Sequence, residues 1–121
     1  MKRQAMRKLS PSALRNRGQG GRQVTIAVTL EWNCKPDKGP ELVEFLKSIL
    51  PDTRARQGAQ MVEMVVDQDN RDHVLVYELW DKKEDQQSYI AWRQERGDVA
   101  TLVATAGVPP SITYFDIVDP R

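Results

Sequence analysis

Four side chains between positions 78 and 92 are of types that could bind an aromatic ring and exchange a proton with it: Glu78, Trp80, Tyr89 and Trp92. Glu78 and Trp80 are two residues apart, so they share one face of a strand. Tyr89 and Trp92 are three apart, so they share one face of a helix. If that strand face lies under the helix, the set could line a pocket for a flat ligand, with the Glu78 carboxyl and the Tyr89 hydroxyl as its polar groups. Plain core packing of the aromatic rings is the alternative.

Glu78 is the strongest reason to consider a functional site, because glutamate is seldom buried without a partner or a task. The rest of the chain offers few other groups for catalysis or metal binding. His73 is the single histidine, and Cys34 is the single cysteine, which excludes an internal disulfide. We interpret Cys34 as an incidental thiol, because only Lys35 is close in sequence to lower its pKa. The acidic run at 67–72 lacks the ligand spacing of a calcium loop and predicts a hairpin turn.

The pattern of apolar residues predicts the elements that position these side chains. Apolar and polar residues alternate as in a strand at residues 23–33, and three further strands are predicted at 59–66, 73–80 and 111–118. Helical spacing predicts a helix over residues 41–50, with Pro40 in its first turn and Pro51 at its end. A second helix is predicted from the charged run at 82–85 to about Arg96, where Gly97 ends it, and a short third helix near residues 99–103.

This order of elements predicts an α+β domain of the ferredoxin-like βαββαβ type, with a four-stranded antiparallel sheet and the helices on one face. The second and third predicted strands carry apolar residues on both faces, as in the run VLVYELW at 74–80. Helices can cover only one face of the sheet. We therefore expect a second copy of the chain to cover the other face, forming a homodimer in which the two sheets build an α/β barrel.

Residues 1–22 differ in composition from the rest of the chain. They hold 7 of the 18 basic residues and no acid, which leaves 11 basic against 17 acidic residues at 23–121, a net charge of −6. We predict a disordered basic tail at 1–22 and one domain at 23–119. A cleaved organellar presequence is disfavoured by Pro11, and a nucleic-acid-binding arm by the lack of aromatic residues among the charges.

The chain has no apolar run of about 18 residues, so we expect no membrane span. It also lacks the apolar segment of a secretory signal. We therefore expect a cytoplasmic protein.

Two stretches resemble the antibiotic biosynthesis monooxygenase domain. In the segment VLVYELWDKKEDQQSYIAW at 74–92, a strand ending in Glu-x-Trp leads into a helix. In that family the helix carries a functional residue nine positions after the Trp, which here is Tyr89. Upstream, Thr53-Arg54 followed by Gly58 resembles the family's Thr-Arg-x-x-x-Gly passage into its second strand. The order of elements agrees from about residue 24 to residue 118.

The resemblance implies dimeric ferredoxin-like subunits, each with a pocket between sheet and helices. Some members of the family oxygenate anthrones, hydroquinones or other polyphenolic rings with O₂, without metal or flavin. Others degrade haem or isomerise small phosphorylated carbonyl compounds. Quinol-oxidising members commonly have histidine at the position of Tyr89, and no histidine follows Trp80 here to bind a haem iron. Haem degradation is therefore disfavoured.

The leading hypothesis is a cofactor-independent monooxygenase for a small quinol-, anthrone- or polyphenol-like substrate. It assigns Glu78 as proton acceptor and Tyr89 as hydrogen-bond partner of a substrate oxygen. The alternative is a non-catalytic dimeric module that binds a small apolar or aromatic ligand. The candidate substrate-binding residues are Trp80, Trp92, Trp32 and Asn33.

Overall fold

A computed structural model describes residues 25–120, in which a four-stranded sheet packs against three helices. The predicted basic tail at 1–22 lies outside the described residues. The strands are β1 (Ile26–Asn33), β2 (Ala59–Val66), β3 (His73–Trp80) and β4 (Ser111–Asp116), and the helices are α1 (Gly39–Arg54), α2 (Lys83–Arg96) and α3 (Asp98–Ala106).

The sheet has the strand order β2-β3-β1-β4, and each neighbouring pair is antiparallel. This topology confirms the predicted ferredoxin-like α+β fold. The register places Glu78 opposite Val28 of β1 on one side and Val62 of β2 on the other, while Tyr114 of β4 pairs with Val28. Glu78 and Tyr114 therefore point from the same face of the sheet, two strands apart.

The core lies between this face and the helices. Alternate residues of the two central strands are buried here, and Leu42, Leu46 and Leu50 of α1 belong to the same core. These leucines recur every four residues, which gives α1 its apolar stripe. Glu78 and Trp80 therefore lie under the helices, which is the condition for the aromatic pocket considered from the sequence. The buried strand residues of this face are Val28, Leu30, Trp32, Val62, Val74, Val76, Glu78 and Trp80.

Two predicted boundaries are wrong. Helix α1 does not stop at Pro51 but continues to Arg54 with the proline inside it. Contacts beyond the helix hold this last turn, because Thr53 is buried and Arg54 donates to the backbone of β2. Strand β4 ends at Asp116 instead of residue 118. Asp116 pairs with Ile26, the first residue of β1, so the paired ladder stops there.

The opposite face of the sheet, which we call the open face, has no helix over it in the described part of the chain. On its edge strands β2 and β4, the apolar residues Val65 and Phe115 are each 47% exposed. Tyr77 and Leu79 of β3 are half-buried on the same face. Within residues 25–120, none of the helices has the length and apolarity needed to cross a membrane.

Candidate functional site

The Glu78 carboxyl is buried between the sheet and the helices, with the residue only 1% exposed. Because Trp80 follows two positions later on the same strand face, its indole Nε1 reaches the carboxyl and donates to Oε1 at 2.7 Å. Burial raises the pKa of Glu78 to about 7, and the hydrogen bond from Trp80 opposes that shift. A carboxyl with this pKa can give up or take a proton at neutral pH.

Three aromatic rings pack in a row beside this carboxyl, each tilted against the next. The Trp80 and Tyr89 ring centroids are 5.6 Å apart, and those of Tyr89 and Trp92 are 6.3 Å apart. These separations are typical of interacting aromatic pairs. Trp80 of β3 therefore packs against Tyr89 of α2, as the spacing of these residues suggested. Trp92 forms the outer end of the row and is partly exposed.

The guanidinium groups of three arginines surround the outer ring, and cation–π contacts of this kind hold the ring in place. They lie 4.8 to 5.1 Å from the centroid of the Trp92 ring. These arginines are Arg56, Arg93 and Arg96.

The Tyr89 hydroxyl takes part in a buried network that joins α1 to α2. It shares a hydrogen bond with the Thr53 hydroxyl and accepts a second from Nε of Arg93 at 2.9 Å. Burial raises the pKa of Tyr89, although both hydrogen bonds act in the opposite direction. The phenol is therefore neutral at physiological pH and already has two protein partners.

The passage from Thr53 to Gly58 fixes α1 and β2 against the helix that carries Tyr89. Thr53 binds Tyr89, and Arg54 Nε donates to the Val62 carbonyl of β2 at 3.2 Å. Gly58 has a φ of 91° and lies against the Asp85 side chain near the start of α2, so a Cβ at this position would collide with it. The three residue types that resemble the family motif thus have separate structural roles in this chain.

Two residues at the site, Gln86 and Tyr114, were missed by sequence reasoning. The Tyr114 hydroxyl donates to Oε1 of Gln86 at 2.7 Å, while Gln86 Nε2 is buried without a partner. An unpaired buried donor costs about 1–3 kcal/mol. Burial raises the pKa of Tyr114, and the negative charge of Glu78 adds to the effect. Gln86 is three residues before Tyr89, so its helical position could have indicated a place on the same face, whereas Tyr114 required the strand register.

We refer to these side chains together as the Glu78 cluster. A carboxyl, an amide and two phenols are thus grouped with an indole inside the domain. The cluster consists of Glu78, Trp80, Gln86, Tyr89 and Tyr114.

Two of the candidate substrate-binding residues lie away from the cluster. Trp32 is buried on the same face of the sheet, but it pairs with Val74 at the opposite end of β3 from Trp80. Asn33 is exposed on the open face, opposite His73. The structure therefore groups Trp80 and Trp92 with the predicted catalytic residues and separates Trp32 and Asn33 from them.

His73 belongs to a polar group at one end of the open face. Its Nδ1 lies 2.9 Å from an Asp67 carboxylate oxygen, and its Nε2 is hydrogen-bonded to Glu31. These bonds to Asp67 and Glu31 raise the pKa of His73, and they stabilise its charged form. The sheet separates this group from Glu78.

The other polar residues considered from the sequence have structural partners. Asp72 accepts hydrogen bonds from the backbone of Asp37 and Gly39, and Asp67 accepts one from the backbone of Asp69 in the turn before β3. Within residues 25–120, no group of three or more histidine, cysteine or acidic side chains is arranged to hold a metal ion. Burial raises the pKa of the Cys34 thiol, with a further contribution from the charge of Asp72.

The match to a known family covers every residue of the Glu78 cluster except Tyr114 of β4. The model of the antibiotic biosynthesis monooxygenase family matches residues 25–97, more than half of the chain. The chain belongs to the antibiotic biosynthesis monooxygenase family. The resemblance seen in the Glu-x-Trp and Thr-Arg-x-x-x-Gly passages is thereby confirmed. No curated protein matches the chain.

Solved structures share the fold of this family member. A crystal structure described as an antibiotic biosynthesis monooxygenase superposes with a TM-score of 0.68 at 17% identity, covering 78% of this chain and 99% of that one. A conserved protein from Methanosarcina mazei Go1 gives 0.68 at 17% identity, over 78% and 93% of the two chains. A protein of unknown function from Nitrosomonas europaea gives 0.68 at 18% identity, over 84% and 96%. At these identities the likeness establishes the fold.

Proposed function

We propose that this protein is a cofactor-independent monooxygenase that uses O₂ on a quinol-, anthrone- or polyphenol-like substrate. The observation that carries the proposal is the buried Glu78 carboxyl, whose pKa of about 7 suits proton transfer at neutral pH. Membership of the antibiotic biosynthesis monooxygenase family supports the reaction class. The aromatic surroundings of Glu78 support a ring-shaped substrate.

The reaction balances without a further oxidant or reductant when the substrate is an anthrone. The carboxylate of Glu78 accepts a proton from the ring methylene, which leaves an electron-rich anion that O₂ can oxidise. The methylene carbon loses two hydrogens and gains one oxygen atom as a carbonyl, and the second oxygen atom leaves as water. The substrate supplies all four electrons, so the protein's role is to bind the ring, favour the anion and exclude water.

The other side chains support this chemistry in different ways. Trp80 and Trp92 are proposed as aromatic walls, with Trp80 also orienting the carboxyl through its indole N–H. Tyr89 remains the proposed partner of a substrate oxygen. A ligand would have to share its hydroxyl with Thr53 and Arg93, so we expect a modest contribution from Tyr89 to turnover.

One observation favours the second candidate function, a binding module without catalysis. Tyr89 stands where quinol-oxidising relatives commonly have histidine, and a neutral tyrosine with a raised pKa is a poor base. If Glu78 only accepts the hydrogen bond from Trp80 and takes no proton from a ligand, the cluster would bind an aromatic ligand without converting it. The two functions share a site and differ in oxygen uptake.

We further propose that the protein is a homodimer that buries its open face. Val65 and Phe115 are half-exposed there, and Tyr77 and Leu79 continue the apolar surface across β3. A sheet whose helices occupy one face requires a cover for such an apolar second face. In a twofold dimer each copy uses the same patch, so the open face of a second copy can cover the open face of the first.

Oxygen consumption by metal-free protein with a panel of anthrones and hydroquinones tests the catalytic proposal. We expect uptake above spontaneous autoxidation, at least a hundredfold lower in Glu78→Gln, as is usual when a general base is lost. The matched control is Glu95→Gln, which changes an exposed glutamate of α2 and should retain full activity. Undiminished uptake in Glu78→Gln would contradict the proposal. Ligand binding without uptake in the wild type would favour the binding module.

A further inference from the structure

Gln86 is the one residue of the Glu78 cluster whose polar groups the fold does not satisfy. It is fully buried, its Oε1 accepts from Tyr114, and its Nε2 has no partner. Buried polar atoms in native proteins are nearly always hydrogen-bonded, so an unpaired amide donor requires an explanation. An apolar residue of similar size would fill the same space without this cost.

The position of Gln86 connects the unpaired donor with the proposed ligand site. Gln86 lies one helical turn before Tyr89, whose ring packs on Trp80. Its partner Tyr114 pairs with Val28 of β1, which pairs on its other side with Glu78, so Tyr114 and Glu78 point from the same face of the sheet. The amide is therefore held by Tyr114 within the same buried region as the carboxyl.

We propose that Gln86 Nε2 donates a hydrogen bond to a carbonyl or phenolate oxygen of the bound ring. This inference rests on the proposed function and names the residue that recognises the substrate's oxygen. Glu78 takes a proton from the substrate, and Gln86 recognises an oxygen acceptor on it. A ligand with both features is a keto or phenolate aromatic, such as an anthrone, and not a plain hydrocarbon. Tyr114 acts as a positioning residue because its hydroxyl holds the amide oxygen and leaves the N–H groups free.

A matched pair of probes tests this recognition without requiring turnover. 9-Fluorenone and fluorene have the same tricyclic frame, but only fluorenone carries a carbonyl acceptor. Equilibrium dialysis would give both dissociation constants for the wild type and for Gln86→Met, with Gln87→Met as the control on the exposed side of α2. We expect Gln86→Met to weaken fluorenone binding about tenfold relative to fluorene, the effect of one hydrogen bond, and Gln87→Met to change neither. Equal relative affinities in the wild type and Gln86→Met would overturn the proposal.

A stability measurement separates ligand recognition from a purely structural role. The double variant Gln86→Met/Tyr114→Phe removes the unpaired donor together with the hydroxyl that holds the amide. If the amide serves a ligand, urea unfolding should show the double variant to be at least as stable as the wild type. A double variant that is less stable, with fluorenone binding unchanged, would assign Gln86 to the fold. Loss of turnover in Glu78→Gln with unchanged fluorenone selectivity in Gln86→Met would retain the oxygenase and reject this inference.

Discussion

At the scale of single residues, the Glu78 carboxyl links function to stability. Its pKa rises from 4.5 to about 7 in the folded protein, so the folded state holds its proton more tightly than the unfolded chain does. Between these two values, the folded state binds more protons, and stability falls as the pH rises. Above pH 7, ionisation of Glu78 lowers the free energy of unfolding by its full amount, about 3 kcal/mol for a shift of this size. A fold keeps such a group at this cost when the group has a task.

Glu78→Gln should therefore stabilise the protein in a pH-dependent way. The amide has the same shape and can still accept from Trp80 Nε1, but it does not ionise. Urea unfolding from pH 4.5 to 8 should show the variant gaining up to about 3 kcal/mol on the wild type as the pH rises. Glu95→Gln should follow the wild type throughout. Parallel pH profiles for Glu78→Gln and the wild type would mean that the buried carboxyl titrates as it does in water.

At the scale of elements, Arg93 holds the three helices together. Its guanidinium donates to the Ile49 carbonyl of α1 at 2.6 Å, to Tyr89 of α2 at 2.9 Å and to Asp98 of α3 at 2.8 Å. The side chain is 2% exposed, so these bonds act away from water. This explains why α1 continues past Pro51, since Ile49 and Thr53 lie on either side of that proline and both contact the network.

Arg93→Met should lower the free energy of unfolding by about 3–5 kcal/mol, because it leaves buried partners without their cation. Arg96→Met is the matched control. Arg96 also binds Asp98, at 3.1 Å, but its side chain is 52% exposed. Because solvent screens this ion pair, Arg96→Met should lower the free energy of unfolding by about 1 kcal/mol or less. Chemical denaturation of both variants measures the difference, and equal losses would contradict the structural role given to Arg93.

At the scale of the whole molecule, the open face should decide the oligomeric state. Phe115→Glu places a charge on the open face at the edge strand β4 and should convert a micromolar dimer into a monomer, because an unpaired charge cannot be buried in the interface. Val118→Glu is the control, since Val118 is 92% exposed and follows the end of β4. Light scattering of the three proteins measures the effect. A monomeric wild type at micromolar concentration would reject the homodimer.

The sequence by itself determined the fold and showed that Glu78 and Trp80 share one face of β3. The period of two assigns the residues of β1, β2 and β3 to two faces of the sheet, and Gly97, with a φ of 86°, ends α2 as expected from glycine's conformational freedom. Glu78, Trp80, Tyr89 and Trp92 could be grouped because period-two and helical spacing are local properties of the chain.

Only the tertiary structure decided which distant residues complete the Glu78 cluster. Gln86 meets Tyr114 because β4 pairs with β1 in one particular register, and no local pattern specifies that register across a separation of 28 residues. The antiparallel register of β1 with β3 places Trp32 opposite Val74, at the far end of β3 from Trp80, and so separates it from the cluster. The last turn of α1 likewise depends on Arg93, a partner 40 residues from Thr53. Long-range pairing and side-chain packing, rather than local propensity, determine these contacts.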